Sequence, residues 1–189
     1  MMQKLKVAQL VLFNMDKPND IDWKSKRMKR NELKSYVRRF LLYPAFWEDV
    51  TKHFGMELKW KKRKFSATNA GEIPTSSGLY CFVVIPPVPD FFITRYLFYV
   101  GKASGTSFRS RYKNYIDEMN GIGIGEQKAR IKVEEMLNDY YDDVYFFYVE
   151  INNPDLIKEL EVKLLNTFFP YVNSHHPEAT ISEEYKHIY

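Results

Sequence analysis

The sequence predicts an α+β fold in which a basic, helical N-terminal portion precedes a smaller region of mixed strands and helices. Three observations predict it. Short runs rich in aromatic and β-branched residues recur three times after residue 77. Segments with apolar residues at helical spacing lie between and after those runs. Positive charge is concentrated early: 21–66 holds 14 Lys and Arg against 5 Asp and Glu, whereas the rest holds 14 against 19, within a net charge of +4. At 189 residues, with 45% hydrophobic and 16% aromatic residues, the chain can bury one core with an appendage and is too apolar to stay disordered.

The elements follow in order. Residues 1–66 form the basic helical portion: Leu33, Val37, Phe40 and Leu41 give 29–42 a helical face that Pro44 interrupts, and 45–54 can form a second short helix. A turn-rich connector covers 67–77. Residues 78–85 (GLYCFVVI) read as a buried strand that ends at Pro86-Pro87, and 95–101 (RYLFYVG) as its antiparallel neighbour across a long excursion. Phe108, Tyr112, Tyr115, Ile116 and Met119 mark one face of a helix over 108–119. A GIGIG loop over 121–125, read as a flexible connector, leads to a helix from 126 to about 140. Residues 143–151 (DVYFFYVEI) are the third strand. Asn153 as N-cap and Pro154 in the first turn then start a helix that ends near Phe169-Pro170.

Other features exclude function classes. Cys81 is the lone cysteine, so the chain has no internal disulfide and no clustered-thiol metal site, and it reads as a small core residue of a reducing, cytoplasmic setting. No export signal is expected, and no run of about 18 apolar residues occurs, so no membrane association is expected. His175-His176 has no third ligand at metal-like spacing and reads as a surface pair.

Two features carry chemistry. In 59–65, Lys59, Lys61, Lys62, Arg63 and Lys64 interleave with Trp60 and Phe65. That pattern suits phosphate contact with stacking. It equally suits a basic strand edge that its lysines protect from aggregation. On a helical wheel of 156–169, Glu161 is the single charge in an arc of Ile157, Leu160, Leu164, Leu165 and Phe168. A carboxylate there needs a cation, a metal or hydrogen bonds, and a basic partner on another element is the simplest answer from this helix alone.

The motifs before that helix add a resemblance. Gly78-Leu79-Tyr80 and Tyr99-Val100-Gly101 sit on neighbouring strands, followed by Lys102, Arg109-Ser110-Arg111 and Tyr115. In these residues the chain resembles the GIY-YIG nuclease superfamily. YVGKAS…FRSRYKNY is similar to the second motif and following helix of UvrC-type nuclease domains. Leu160-Glu161 through Pro170-Tyr171-Val172-Asn173 is similar to the family's Glu-bearing helix and terminal Asn motif. The resemblance runs from Gly78 to Asn173. It sets a catalytic core over 78–175 and a tail over 176–189.

The resemblance implies a small central three-stranded antiparallel sheet flanked by helices, in an enzyme that hydrolyses DNA phosphodiesters with Mg²⁺ or Mn²⁺. Tyr80 and Tyr99 would face each other, and one of them would take a proton from the attacking water. A free phenol has a pKa of about 10, so this role requires lowering by Lys102 and Arg111. Arg111 would hold the scissile phosphate, with Tyr115 one turn beyond it; Arg109 fits the family's loop spacing but would put Lys113 at that place. Glu161 would bind the metal, Asn173 would order the site by hydrogen bonding, and Gly101 and Arg109 would lie against substrate with the basic residues of 59–64. The insert between the tripeptides, 81–98, is longer than the family usually carries. A restriction-like or host-defence endonuclease acting on duplex DNA, dimeric if it cuts both strands, is the expectation. A non-catalytic nucleic-acid-binding module on the same fold and an RNA-cleaving toxin are the alternatives.

Overall fold

A computed structural model of the chain describes residues 58–87, 94–122 and 131–173, together with 34, 36–42, 44 and 47. The chain divides into two compact units, Met1–Arg38 and Arg39–Tyr189. The second contains strands β1 (Lys61–Lys64), β2 (Gly78–Val84), β3 (Tyr96–Ala103) and β4 (Val144–Glu150). Its helices are α1 (Phe108–Met119), α2 (Ile131–Asp139) and α3 (Pro154–Phe168). The strands form one antiparallel sheet in the order β1-β4-β2-β3.

The α+β class is as expected, but the sheet has four strands and not three. The additional strand is the basic segment Lys61–Lys64, assigned from sequence to a helical portion; all four of its residues are exposed. It pairs with the outer edge of β4, Lys61 opposite Tyr148 and Lys64 opposite Tyr145. The next residue, the fully buried Phe65, anchors it by donating its N–H to Val144 O at 2.9 Å. A lysine-rich edge strand with an exposed outer side is the arrangement that discourages strand-to-strand aggregation. Of the helix expected over 29–42, Lys34 is helical but 37–42 have no regular secondary structure. Most of the helix over 45–54, most of the GIGIG loop, the start of the helix from 126, His175-His176 and the tail fall outside the described residues.

The sheet has a helix-covered layer on each face. β2 is buried along its whole length because it lies between two strands and under both layers, which explains its unbroken apolar run. One face carries Tyr80, Phe82 and Phe146 against Phe108, Tyr112 and Tyr115 of α1 and Met136 and Leu137 of α2. The other carries Leu79, Cys81, Val100 and Val149 against Ile157, Leu160, Leu164 and Leu165 of α3. A bulge places Phe98 as an extra residue opposite the Phe82/Val83 step, so that consecutive Phe98 and Tyr99 both serve the aromatic face. Phe40 closes that face at the sheet edge, its ring 5.7 Å from Tyr96 and 5.6 Å from Phe98.

Local signals set the helix starts. Ser107 caps α1 by accepting from Ser110 N, and the Asn153 side chain accepts from Asp155 N and Leu156 N with Pro154 in the first turn of α3. The Tyr112 hydroxyl accepts from Ser66 N at 2.8 Å and lies 3.0 Å from Ser66 O, pinning the exit of β1 to α1. Burial pushes that phenol up to about 12.

Candidate active site

Gly101 lies at the centre of the candidate site. It pairs with Tyr80 across β2 and β3. A Cβ at this position would stand 2.6 Å from both Cζ and Oη of Tyr80 and 2.8 Å from Cε1 of Tyr99. Only a residue without a side chain lets both phenols lie over the strand. Gly78, at the other motif, is required for a different reason: its φ is +149°, and a Cβ would meet Val149 O at 2.0 Å.

The phenols cluster with α1. Tyr80 Oη and Tyr115 Oη are hydrogen-bonded at 2.8 Å. The Tyr99 ring centroid is 6.1 Å from each of the other two rings. Phe146, which the sequence reading did not single out, stacks on Tyr80 at 5.2 Å; its signal is the alternation of β4, which puts Val144, Phe146 and Tyr148 on one face. Tyr80 is 2% exposed whereas Tyr99 is only partly buried. The expectation that nearby cations lower a phenol is corrected for Tyr80: burial raises its pKa above the ordinary range, and the nearby Arg111 offsets only part of that. Burial raises Tyr115 likewise.

The two arginines have separate employments. Arg109 donates from Nε to Ile73 O at 2.7 Å and from Nη2 to Gly71 O at 3.1 Å, fastening the 3₁₀ turn Ala67–Glu72 to the start of α1. Arg111 lies close enough to Tyr80 to act on its ionisation, and its buried Nε has no hydrogen-bond partner among the described residues.

Across the sheet, Lys102 follows Gly101 and points to the α3 side. Its Nζ is 2.6 Å from Glu161 Oε2, with the side chains 38% and 16% exposed. The charge that the helical wheel isolates among Ile157, Leu160, Leu164 and Leu165 is thus neutralised by a lysine on the strand below. Phe168, placed in the same arc, is 38% exposed. Asn173 sits at the strand edge: its Oδ1 accepts from Val100 N at 2.9 Å and its Nδ2 donates to Val100 O at 2.8 Å. With Val172 N donating to Phe98 O at 2.9 Å, the amide continues the sheet where no further strand is present among the described residues. The residues named from the motifs are therefore divided by the sheet: Tyr80, Tyr99 and Tyr115 gather about Gly101 on one face with Arg111 near Tyr80, Lys102 and Glu161 pair on the other, and Asn173 bonds Val100 at the strand edge.

The donor set bears on a metal. Among the described residues no group of three or more His, Cys, Asp or Glu side chains could hold one. Glu161 supplies a single carboxylate. That carboxylate is paired with Lys102, so a hard cation would compete with the lysine for it.

The basic strand is divided between intramolecular duties and free charge. Lys61 bonds Glu150 at 2.7 Å, and Ser76 holds the other Glu150 oxygen at 2.8 Å. This contact lowers the Glu150 pKa and raises that of Lys61. Arg63 pairs with Glu72 at 3.1 Å. Lys59, Lys62 and Lys64 have no carboxylate partner among the described residues. No described helix is long and apolar enough to cross a membrane.

No protein-family model, curated protein or solved structure matches this chain.

Proposed function

We propose that the chain is a DNA endonuclease of the GIY-YIG type that hydrolyses phosphodiesters with a divalent cation, in a restriction-like or host-defence setting. The observation that carries this reading is the clustering of Tyr80, Tyr99 and Tyr115 about Gly101 with Arg111 near Tyr80 on one face of the sheet, while Lys102 and Glu161 pair on the opposite face and Asn173 bonds Val100 at the strand edge between them. In it, Tyr99 is the proton acceptor, since it is partly exposed while Tyr80 is buried, held protonated and bonded to Tyr115. Tyr80 and Tyr115 fix the ring of Tyr99, and the Arg111 guanidinium meets the scissile phosphate. Glu161 would hold Mg²⁺, which when bound would supply charge stabilisation at the phosphate oxygens. Lys102, its ion-pair partner, would supply positive charge beside it. Asn173 keeps the backbone of Val100 in place between the two working residues of the strand.

The test is conversion of supercoiled plasmid to nicked circles in Mg²⁺. Wild type is expected to nick, with Glu161→Gln and Arg111→Gln each slower by at least about a hundredfold, the scale of losing one preorganised charged group. Equal nicking by Glu161→Gln and wild type would remove the carboxylate from the mechanism.

A second reading is favoured by one contact. The Lys102–Glu161 pair satisfies the acid without a metal, so a non-catalytic nucleic-acid-binding module can also have this geometry. Binding of plasmid with no nicking by any of the three proteins would select that reading.

A further inference from the structure

α3 packs chiefly on β2 and β3; Val149 of β4 lies in its core, and Trp60 and Phe147 pack against the rim of that core while staying partly exposed. Three rings line the β1–β4 half of this sheet face: Trp60 leading into β1, and Tyr145 and Phe147 on β4, all partly exposed. The strand register puts Lys62 opposite Phe147 and Lys64 opposite Tyr145, and Lys62 Nζ lies 5.7 Å from the Tyr145 ring centroid. Lys61 and Arg63, which alternate to the other side, are the members of β1 already held by Glu150 and Glu72. The two β1 cations without a carboxylate partner among the described residues, Lys62 and Lys64, are therefore on the face that also presents the rings, and the β1 and β4 positions on it carry no acidic residue.

From this arrangement we infer that the β1–β4 face is a binding surface for single-stranded DNA, separate from the tyrosine cluster. Charge complementarity selects a polyanion, because neutralising phosphates with lysines releases counterions. The rings select unpaired bases: stacked duplex bases cannot reach a sheet face, whereas free bases stack on aromatic side chains irrespective of sequence. Trp60, Tyr145 and Phe147 offer those surfaces, and Lys62 and Lys64 stand at their edge for the backbone. The choice of DNA over RNA rests on the proposed function; the choice of a single strand rests on the rings.

The experiment uses the full chain in excess EDTA, with a short labelled oligothymidylate, the matching RNA and a duplex of equal length, read by fluorescence polarisation. Wild type is expected to bind the DNA strand more tightly than the duplex or the RNA. Tyr145→Leu should weaken binding about tenfold and Tyr145→Phe should restore it, since stacking needs the ring and not the hydroxyl. The doubly substituted Lys62→Ser, Lys64→Ser protein, altered only at exposed positions, should flatten the dependence of affinity on salt by about 1.4 logarithmic units per decade. Equal affinity for strand and duplex, or Tyr145→Leu binding as wild type, would overturn the inference, as would tighter binding of the RNA. Without divalent cation no cleavage contributes. A chain that nicks plasmid but ignores single strands would overturn this inference alone, and one that binds them but never nicks would overturn the nuclease reading alone.

Discussion

Gly101 shows how one missing side chain organises the candidate site. Its hydrogen leaves space that the ends of Tyr80 and Tyr99 occupy, and the contacts a methyl would make, at 2.6 and 2.8 Å, are with rings already packed by Phe146 and Tyr115. Gly101→Ala is expected to destabilise the fold by about 1–3 kcal/mol, the scale of overpacking a well-filled core, measured by urea denaturation. An unchanged midpoint would mean that the phenols can move aside freely. The buried phenols also set an alkaline limit. Tyr80 and Tyr115 have folded pKa values above the ordinary 10.0, so the unfolded chain releases their protons first as pH rises. Their contribution is complete below about pH 10 and falls above it. Unfolding free energy measured across that range should decline, and less steeply in Tyr80→Phe and Tyr115→Phe. Much of this site is legible in the sequence as residue types in order, including the charge of Glu161 in an apolar arc. Its partner is less so. Lys102 lies 59 positions away, and only the strand register shows that it and α3 share a face.

At the scale of elements, legibility tracks how local the cause is. The start of α3 is written in adjacent residues, Asn153 and Pro154, and the observed cap uses both. Asn153→Ala should cost about 1 kcal/mol, read as a lowered urea midpoint with unchanged slope; no shift would show that tertiary packing alone fixes the helix start. β2 is legible for the same reason, as a dense apolar run between turn residues. β1 is legible only in part. The cations of 61–64 suit a basic strand edge, as observed, but four in a row carry no strand periodicity, and what pairs them is the free edge of β4 together with Phe65 buried beside it. That partner, some 80 positions away, leaves no local trace. The bulge in β3 is hidden likewise: Phe98 and Tyr99 look like alternating strand residues, yet both serve one face, and that irregularity brings Tyr99 beside Tyr80.

For the molecule as a whole, the sheet separates two tasks that a strand-by-strand reading merges. One face is an aromatic core that rigidly holds phenols over Gly101; the other is an aliphatic core under α3 that carries the Lys102–Glu161 pair and, beyond the helix, the rings of the β1–β4 face. Every strand and named helix of this arrangement lies within Arg39–Tyr189, and so does Phe40, whose ring closes the aromatic face against Tyr96, Phe98 and Tyr171. Among the described residues, both core clusters are built from groups of this unit. A chain that begins at Arg39 should unfold cooperatively, with a thermal midpoint within about 3 °C of the full chain, a difference of the order of 1 kcal/mol. One that begins at Leu41 loses the Phe40 ring and should fall further, by the 3–5 kcal/mol scale of a deleted core aromatic reduced for its partial exposure. Calorimetry of the two truncations against the full chain separates these outcomes: an equal loss in both would show that Met1–Arg38 supports the sheet, and no loss in either would show that Phe40 covers the core without stabilising it.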